Sequence, residues 1–458
     1  MAPVQFPARF HFLSRLHEEQ DGAGRLTRAG VAEISHALRI PLAEAWEAAT
    51  SYPLFHFEES PSAGPCGGLG CVLNGAQAFR GYSGGCRFRC YDAPVQGIEE
   101  PFPEERIILA GPMLQPDNQD WRGLESAQRF GDAATLDQIE AAGLRGRGGA
   151  YFPVALKWRT TLAQERPVVL VVNAEEGEPG VFKDRAILQS RPRRFMEGLA
   201  IAASVLSPAA IVIFVNGEAG PMRGALEAAL REWAHLLPVQ PDIVRGGGGY
   251  VLGEESTLLN ALEGRKPVPR LRPPYPAEAG LFGMPTVVNN VETIALLSVI
   301  MRDGVDGFRS SGTAEAPGTK LFSVSGRVNR PGLYEMPLGT PLRDLVTEAG
   351  RATDGGAVAV LAGGPSGGFL PGSEFHRPLA PGLMHPTGAV AGSGGMVVFD
   401  GTSDLRAAVL AMAAFNAEES CGKCTPCREG LPRLLAGLEG TRSELEVREL
   451  LDVIGLAS

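Results

Sequence analysis

The chain has 458 residues, enough for about three domains and a substantial buried core. Glycine (59 residues) and proline (36 residues) make up about a fifth of it, below the roughly 25–30% of low-complexity chains. The formal net charge of −10 argues against wholesale disorder and against a nucleic-acid binder, which would carry a basic surface.

Helical patterns occupy the first fifty residues. Thr27 is a candidate N-cap, Val31, Ile34 and Leu38 follow at helical spacing, and Pro41 should end that helix. A glycine-rich loop at 60–90 follows. Five prolines between 92 and 125 then predict an irregular linker.

From 126 to 315 the pattern alternates between strands and helices. We expect a helix at 134–142, a strand at 167–173 and a helix from Arg193 that ends near Leu206. A strand at 210–215 and a helix at 221–236 follow. Alternation of this kind predicts a parallel sheet with crossover helices.

Residues 318–390 favour short strands and turns around one helix at 341–349, and the chain beyond Ser403 is helical again. The predicted fold is therefore a multidomain α/β protein. The predicted units are a helical N-terminal region at 1–95, a linker at 96–125, an α/β domain at 126–315, a second domain at 316–395 and a helical bundle at 396–458.

No segment is predicted to cross a membrane. The longest apolar stretch, 199–215, is broken by Ser204, Ser207 and Pro208, whereas a spanning helix needs about 20 apolar residues. The N-terminus has no charged region leading into a long apolar run, as a signal peptide would. We expect a cytoplasmic protein.

The seven cysteines fall into two clusters. The first comprises Cys66, Cys71, Cys86 and Cys90, and the second comprises Cys421, Cys424 and Cys427. A secreted disulfide framework would be shorter and denser. This clustering favours metal or iron–sulfur ligation.

A glycine loop at 143–149 follows the predicted helix at 134–142. Its backbone N–H groups could form an anion-binding concavity, with Arg145, Arg147 and Lys157 adding charge-assisted hydrogen bonds to a phosphate. The dinucleotide fingerprint fails here, because Tyr151 stands at the third glycine and the loop follows a helix. The alternative is a tight surface turn with solvated arginines.

Acidic loops follow two of the apolar runs. Asn173 to Gly180 carries Glu175, Glu176 and Glu178 directly after a predicted strand, where open α/β sheets bind ligands. The alternative is a solvated acidic loop. The segment 253–255 repeats the pattern, and the pair 289–290 either reads the edge of a flat heterocycle or caps a helix.

Taken in order, five stretches resemble one family. They read GLRGRGGAYFPVALKW, NAEEGEPGVFKDR, YVLGEESTLLNALEG, RLRPPYPAEAGLFGMPTVVNNVET and ESCGKCTPCREG. They resemble the NADH-binding flavoprotein subunit of respiratory complex I, a module shared with the diaphorase subunits of NAD-linked formate dehydrogenases and NAD-reducing hydrogenases. The resemblance begins at about residue 125.

The resemblance implies a Rossmann-like domain for FMN and NAD, a β-grasp domain and a helical bundle with a [4Fe–4S] cluster. The residues that it places around FMN are Gly146, Gly148, Gly149, Lys157, Asn173, Glu175, Gly253, Glu254, Asn289 and Asn290. Those that it places around NADH are Phe152, Glu178, Glu255, Arg272 and Tyr275. Three positions depart from the family pattern: Tyr151 replaces a glycine, Glu175 replaces an aspartate and Gly177 replaces a serine.

The N-terminal region resembles the thioredoxin-like [2Fe–2S] subunit of the same complexes, here fused to the flavoprotein. Only 14 residues separate Cys71 from Cys86, fewer than in that family. The resemblance implies a trimmed domain with a [2Fe–2S] cluster on the first four cysteines. The alternative is a zinc site, which four thiolates also suit.

The motif at 421–427 supplies three thiolates, whereas a [4Fe–4S] cluster normally takes four cysteines. Residues 428–458 contain neither cysteine nor histidine. Either the sequence stops before the fourth ligand, or the fourth position is open, or another group fills it.

The sequence thus predicts an NAD⁺/NADH oxidoreductase subunit that passes electrons between the nicotinamide, FMN and iron–sulfur clusters. The fusion favours an NAD-dependent formate dehydrogenase with a molybdenum or tungsten alpha subunit as partner. The alternatives are the flavoprotein subunit of an NADH-quinone oxidoreductase or of an NAD-reducing hydrogenase. Two alternatives of another class are a non-catalytic iron–sulfur scaffold and a zinc-binding module.

Overall fold

The computed structural model describes residues 4–57, 73, 89–93, 100–116, 120–350, 356–441 and 444–457. Cys66, Cys71 and Cys86 lie outside these ranges, so the predicted [2Fe–2S] site stays a prediction. Cys90 is described and is buried beside Tyr91 and Phe102. Over the described ranges, none of the helices combines the length and apolar character that a bilayer crossing requires.

The chain forms ten strands in its described part. They are β1 Ile107–Leu109, β2 Val169–Ala174, β3 Ala210–Val215, β4 Asp242–Arg245, β5 Thr286–Asn290, β6 Thr319–Gly326, β7 Gly332–Pro337, β8 Ala357–Ala362, β9 Gly368–Pro371 and β10 Gly395–Asp400.

The α-helices of the described part are numbered in the same way. They are α1 Phe12–Ala23, α2 Arg28–Leu38, α3 Leu42–Ala49, α4 Arg122–Phe130, α5 Asp132–Ala142, α6 Val154–Leu162, α7 Lys183–Ser190, α8 Pro192–Leu206, α9 Gly220–Trp233, α10 Glu255–Leu262, α11 Pro276–Ala279, α12 Val291–Arg309, α13 Leu342–Glu348, α14 Leu405–Glu418, α15 Leu431–Ala436 and α16 Glu444–Ala457.

A four-stranded parallel sheet, in the order β4-β3-β2-β5, carries the central part of the chain. Every residue of β3 is buried, because helices cover both faces of the sheet. Successive side chains of β2 enter different cores: Leu170 and Val172 pack on one face, Val169 and Val171 on the other. The predicted parallel sheet with crossover helices is confirmed.

The N-terminal helices cover one face of this sheet. Thr27 caps α2 by accepting a hydrogen bond from the Gly30 amide, and α2 ends at Leu38, ahead of Pro41, as the sequence predicts. Phe12 and Leu16 of α1 share a core with Phe214 of β3. Residues 4–57 therefore pack as an integral layer of the α/β unit.

A second sheet is mixed, in the order β1-β7-β6-β10-β8-β9. β6 and β7 form an antiparallel hairpin, and β10 runs parallel to β6. The sequence predicts an irregular linker at 96–125, but β1 lies in that stretch and pairs with β7 at the edge of the sheet. We call this second sheet with its loops the small-sheet domain, because it takes up a shorter part of the chain than the unit built on the parallel sheet. Its β-grasp classification stays a prediction.

The C-terminal segment is helical, as predicted. It runs through α14, a loop with the last cysteines, and α15 and α16. Cys427 lies in a π-helical turn, Pro426–Gly430, a backbone form that is rare and is often found at functional sites.

Candidate functional site

Two adjoining cavities open at the carboxyl edge of the parallel sheet. Their volumes are about 590 and 480 Å³, within the range of small-molecule sites. The residues that line both are Gly148, Asn173, Gly253, Glu254 and Asn290. The loops after β2 and β4 and the carboxyl end of β5 thus meet at the edge where open α/β sheets bind ligands.

The glycine loop forms one wall of the first cavity. A Cβ atom added at Gly146 or Gly253 would approach other protein atoms no closer than 3.7 Å, so a side chain there would grow into the cavity. Lys157 also lines this cavity, where its Nζ donates to Glu255 Oε2 (3.2 Å) and to the Val288 carbonyl (3.1 Å).

Arg147 does not fulfil its predicted role as a phosphate ligand. Its side chain is fully buried and donates to the carbonyls of Arg145, Pro317 and Thr319, each at 3.0 Å. The guanidinium therefore ties the glycine loop to the small-sheet domain. Of the three cations predicted to meet a phosphate, Lys157 alone lines either cavity.

Asn289 and Asn290 end β5 at the cavities. Asn290 caps α12 through its Oδ1, which accepts from the Glu292 amide (3.1 Å) and from Lys183 Nζ (2.9 Å). Asn289 Oδ1 accepts from Trp158 Nε1 (2.8 Å). Asn290 therefore caps α12 and also lies at the ligand-binding edge of the sheet.

The acidic loop after β2 is buried, contrary to its alternative interpretation as a solvated loop. Glu175 and Glu176 are 7% and 4% exposed. Burial raises the pKa of Glu175 to about 8, although Asn216 donates to its Oε1 at 2.6 Å. Burial and the neighbouring Asp184 raise the pKa of Glu176 to about 7.

Glu254 closes the rim between the cavities. Burial alone would raise its pKa, but donors from Ser256 and Thr257 outweigh burial and lower it. Its second oxygen accepts from Arg272 at 2.6 Å. Phe152 and Tyr275 also line the first cavity and are about half exposed, 49% and 54%, which leaves flat aromatic surface free for stacking.

The second cavity extends to the C-terminal cysteine loop. Cys421 and Cys427 line it, and Cys424 stands between them on the same loop. Glu419 Oε2 accepts from the Tyr250 amide at 2.7 Å and so joins this loop to the loop after β4. The described chain thus places the predicted flavin pocket directly beside the predicted cluster loop.

The residues present fit a flavin nucleotide. Glycine backbone lines a cavity that side chains would fill, and Lys157 offers a cation. Glu175 Oε2 and Glu178 Oε1 are buried and have no hydrogen-bond partner among the described residues. Buried polar atoms normally find a partner, which a bound ligand can supply.

The donor set of the cysteine loop fits an iron–sulfur cluster. Three free thiols stand three residues apart on one loop. No group of three Cys, His, Asp or Glu side chains converges on one metal position in the described ranges. A cubane does not require such convergence, because each thiolate binds a different iron.

All residues that the sequence assigns to FMN or NADH, except Gly149, line one of the two cavities. These residues are Gly146, Gly148, Phe152, Lys157, Asn173, Glu175, Glu178, Gly253, Glu254, Glu255, Arg272, Tyr275, Asn289 and Asn290. Gly149 has φ +119° and packs against Ser393. Tyr151 lines the first cavity, but it also packs in the core of the small-sheet domain.

Sequence reasoning missed several residues of the second cavity. Tyr250, Ser393, Asn416 and Glu419 all line it. The glycine run at 246–249 directly before Tyr250 was an available signal. Ser393 and Asn416 lie in no motif that we recognised.

The fold and the cavities define a nucleotide-binding α/β protein joined to a cysteine-bearing helical segment. Residues 139–299 match the family model of the Nuo51 FMN-binding domain, and residues 321–370 match the SLBB domain. Residues 407–455 match the NADH-ubiquinone oxidoreductase-F iron-sulfur binding region.

Curated relatives match about 70% of the chain. The second F-type NADH-quinone oxidoreductase subunit of Rhizobium meliloti (strain 1021) is 40% identical over 338 residues, which are 69% of this chain and 80% of the relative. The F-type subunit of Mycobacterium tuberculosis (strain ATCC 25618 / H37Rv) is 38% identical over 354 residues, 73% of this chain and 80% of the relative. The chain belongs to this family of F-type NADH-quinone oxidoreductase subunits, which are flavin-dependent NADH oxidoreductases.

A solved structure extends the similarity to the N-terminus. A chain of the NAD⁺-reducing [NiFe]-hydrogenase in the H₂-reduced state has a TM-score of 0.86 and 32% sequence identity to this protein. The match covers 99% of this chain and 89% of that chain. The N-terminal layer therefore has a counterpart in a known redox enzyme.

Proposed function

We propose that this chain exchanges electrons between NADH and an iron–sulfur cluster through FMN, as the diaphorase subunit of a multisubunit redox complex. The main support for this proposal is the pair of adjoining cavities, one lined by the glycine loop and the other reaching Cys421 and Cys427. The family membership supports the same conclusion.

The flavin, when bound, accepts a hydride from NADH and releases electrons singly, or works in reverse. The residues of the chain itself bind the flavin and the nicotinamide nucleotide and orient them. Gly146, Gly148, Gly149 and Lys157 are proposed to hold the FMN. The residues proposed to lie around it are Asn173, Glu175, Gly253, Glu254, Asn289 and Asn290. We propose no acid or base among the side chains.

The nucleotide is proposed to contact Phe152, Tyr275, Arg272, Glu178 and Glu255. The half-exposed rings offer stacking surface, and the carboxylates offer acceptors for ribose hydroxyl and amide N–H groups. Cys421, Cys424 and Cys427 are proposed to hold three irons of a [4Fe–4S] cluster. We also propose that the first four cysteines hold a [2Fe–2S] cluster.

The partner is proposed to be the molybdenum or tungsten alpha subunit of an NAD-dependent formate dehydrogenase. A second candidate is an NAD-reducing hydrogenase. The similarity that covers 99% of this chain favours this second candidate, because the curated complex I subunits match only about 70% of it.

Isolation of the native complex tests the proposal. We expect FMN, iron and acid-labile sulfide, bleaching of the flavin on anaerobic addition of NADH, and NADH-dependent reduction of ferricyanide. Molybdenum or tungsten in the complex supports the formate dehydrogenase, and nickel supports the hydrogenase. Iron without flavin would instead support an iron–sulfur scaffold, and zinc without iron would support a zinc-binding module.

A further inference from the structure

The carboxylate of Glu178 belongs to the α/β unit but is enclosed by the small-sheet domain. Ser393, in the loop before β10, donates from its Oγ to Glu178 Oε2 at 2.6 Å. A Cβ atom at Gly364 would lie 2.1 Å from Glu178 Oε1, and one at Gly395 would lie 3.5 Å away. Two segments of the small-sheet domain, one at Gly364 and one at 393–395, therefore fix where this carboxylate lies.

Glu178 and Ser393 both line the second cavity. The hydroxyl of Ser393 is the hydrogen-bond donor that the structure gives to the carboxylate, since Oε1 has no partner within the described ranges. A hydrogen bond to a charged acceptor is stronger than one between neutral groups, and it also fixes the direction of the remaining lone pairs. The Ser393 backbone amide in turn packs against Gly149 of the glycine loop.

We propose that Ser393 is a positioning residue for the nicotinamide nucleotide: it holds the Glu178 carboxylate oriented toward the second cavity. This inference rests on the proposed function, in which Glu178 contacts the nucleotide. Ser393 itself touches the carboxylate and is assigned no part in the electron transfer.

The electrostatic surroundings of Glu178 set the sign of the pH effect. Burial raises the pKa of Glu178, whereas the Ser393 hydrogen bond and the ammonium groups of Lys183 and Lys320 oppose that rise. The Tyr250 phenol also faces it. Removal of the hydroxyl lets the pKa of Glu178 rise further, so a larger fraction is protonated at a given pH and nucleotide binding fails at a higher pH.

The test compares Ser393→Ala with Ser393→Thr, which keeps a hydroxyl. Ser325→Ala is the matched control, because Ser325 lies on β6 of the same domain and its buried hydroxyl has no hydrogen-bond partner in the described part of the chain. For each flavin-loaded protein, calorimetry gives the Kd of NAD⁺ from about pH 5.5 to 8.5, and ferricyanide reduction gives KM and kcat for NADH.

We expect Ser393→Ala to raise the Kd of NAD⁺ about tenfold at acidic pH, to move the acid limb of binding to higher pH and to raise KM more than kcat falls. Ser393→Thr should restore the parent profile, and Ser325→Ala should keep it. Unchanged binding in Ser393→Ala, or an equal shift in Ser325→Ala, would overturn the inference. A parent protein that holds no FMN or binds no NAD⁺ would instead overturn the proposed function.

Discussion

The two sheets contribute to the site in different ways. The parallel sheet supplies the loops that line the cavities, since the residues after β2, β4 and β5 face them directly. The small-sheet domain supplies few lining residues, but its backbone and side chains hold those loops in place. Ser393 fixes Glu178, and the carbonyls of Pro317 and Thr319 fix Arg147.

A buried ionic cluster joins the two sheets. Glu292, at the start of α12, lies between Lys183 Nζ (3.2 Å) and Lys320 Nζ of β6 (3.1 Å). Burial would raise the pKa of Glu292, but the two ammonium groups outweigh it and lower that pKa. Burial lowers the pKa of Lys320 to about 8, because the opposing effect of the Glu292 carboxylate offsets burial only in part. The parallel sheet thus supplies the residues that line the cavities, whereas the small-sheet domain holds those residues in position.

The largest effect is expected from a substitution in one of the loops that the parallel sheet supplies to the cavities. Gly253→Val places a branched side chain in the space shared by the two cavities, so we expect bound FMN to fall about tenfold or more. Flavin absorbance of the purified protein measures it, and circular dichroism checks the fold. Gly22→Val, on the exposed surface of α1 with open space around its Cβ, is the control. Full FMN content in Gly253→Val would place the flavin elsewhere.

The second prediction removes the ionic link between the sheets. Glu292→Ala leaves two buried ammonium groups without their shared carboxylate, which should lower the free energy of unfolding by about 3–5 kcal/mol. Urea denaturation measures it. Asp344→Ala, which removes a solvent-exposed partner of Arg343, should change stability by less than about 0.5 kcal/mol. Equal losses in the two variants would show that the buried cluster adds nothing to stability.

The third prediction uses the buried carboxyl of Glu175. Its folded pKa of about 8 lies above the ordinary value of 4.5, so the folded state binds the proton more tightly and stability falls as pH rises between these values. Between about pH 5 and 8, the parent should therefore lose on the order of 4 kcal/mol relative to Glu175→Gln.

Urea denaturation at both pH values tests this difference, with the exposed Glu33→Gln as control. Parallel profiles for the parent and Glu175→Gln would mean that Glu175 is ionised in the folded protein at low cost. The same measurement on Glu33→Gln should reproduce the parent slope, because this exposed substitution leaves the buried Glu175 carboxyl unchanged.

Local sequence was sufficient to predict the parallel sheet and the loops at its carboxyl edge, whereas Phe152, Arg272 and Tyr275 were assigned through the family resemblance. The run Ala210–Val215 is apolar throughout because both faces are covered, and that pattern is visible without knowledge of any partner. Glycines and carboxylates directly after such strands indicate a ligand edge for the same local reason. Thr27 and Pro41 likewise act on their immediate neighbours.

The orienting contacts could not be predicted, because their partners are distant in sequence. Arg147 was interpreted as a phosphate ligand from its charge, yet its acceptors Pro317 and Thr319 lie about 170 residues away. Ser393 pairs with Glu178 across 215 residues, and no local pattern marks Ser393 as its partner. The strand β1 was missed because its pairing partner β7 lies in the small sheet.

The smallest effect is expected for the hydrogen bond between Tyr250 and Ser366, which resembles that between Ser393 and Glu178. Ser366 Oγ and the Tyr250 hydroxyl lie 3.0 Å apart, and this hydrogen bond is open to solvent, unlike that between Ser393 and Glu178. Water can replace the lost partner, so Ser366→Ala should raise the KM for NADH by less than about threefold. Tyr250→Phe with Ser366→Ala completes a double-mutant cycle, in which the coupling should stay below about 0.5 kcal/mol. A larger coupling would mean that the small-sheet domain orients the site through exposed hydrogen bonds as well as buried ones.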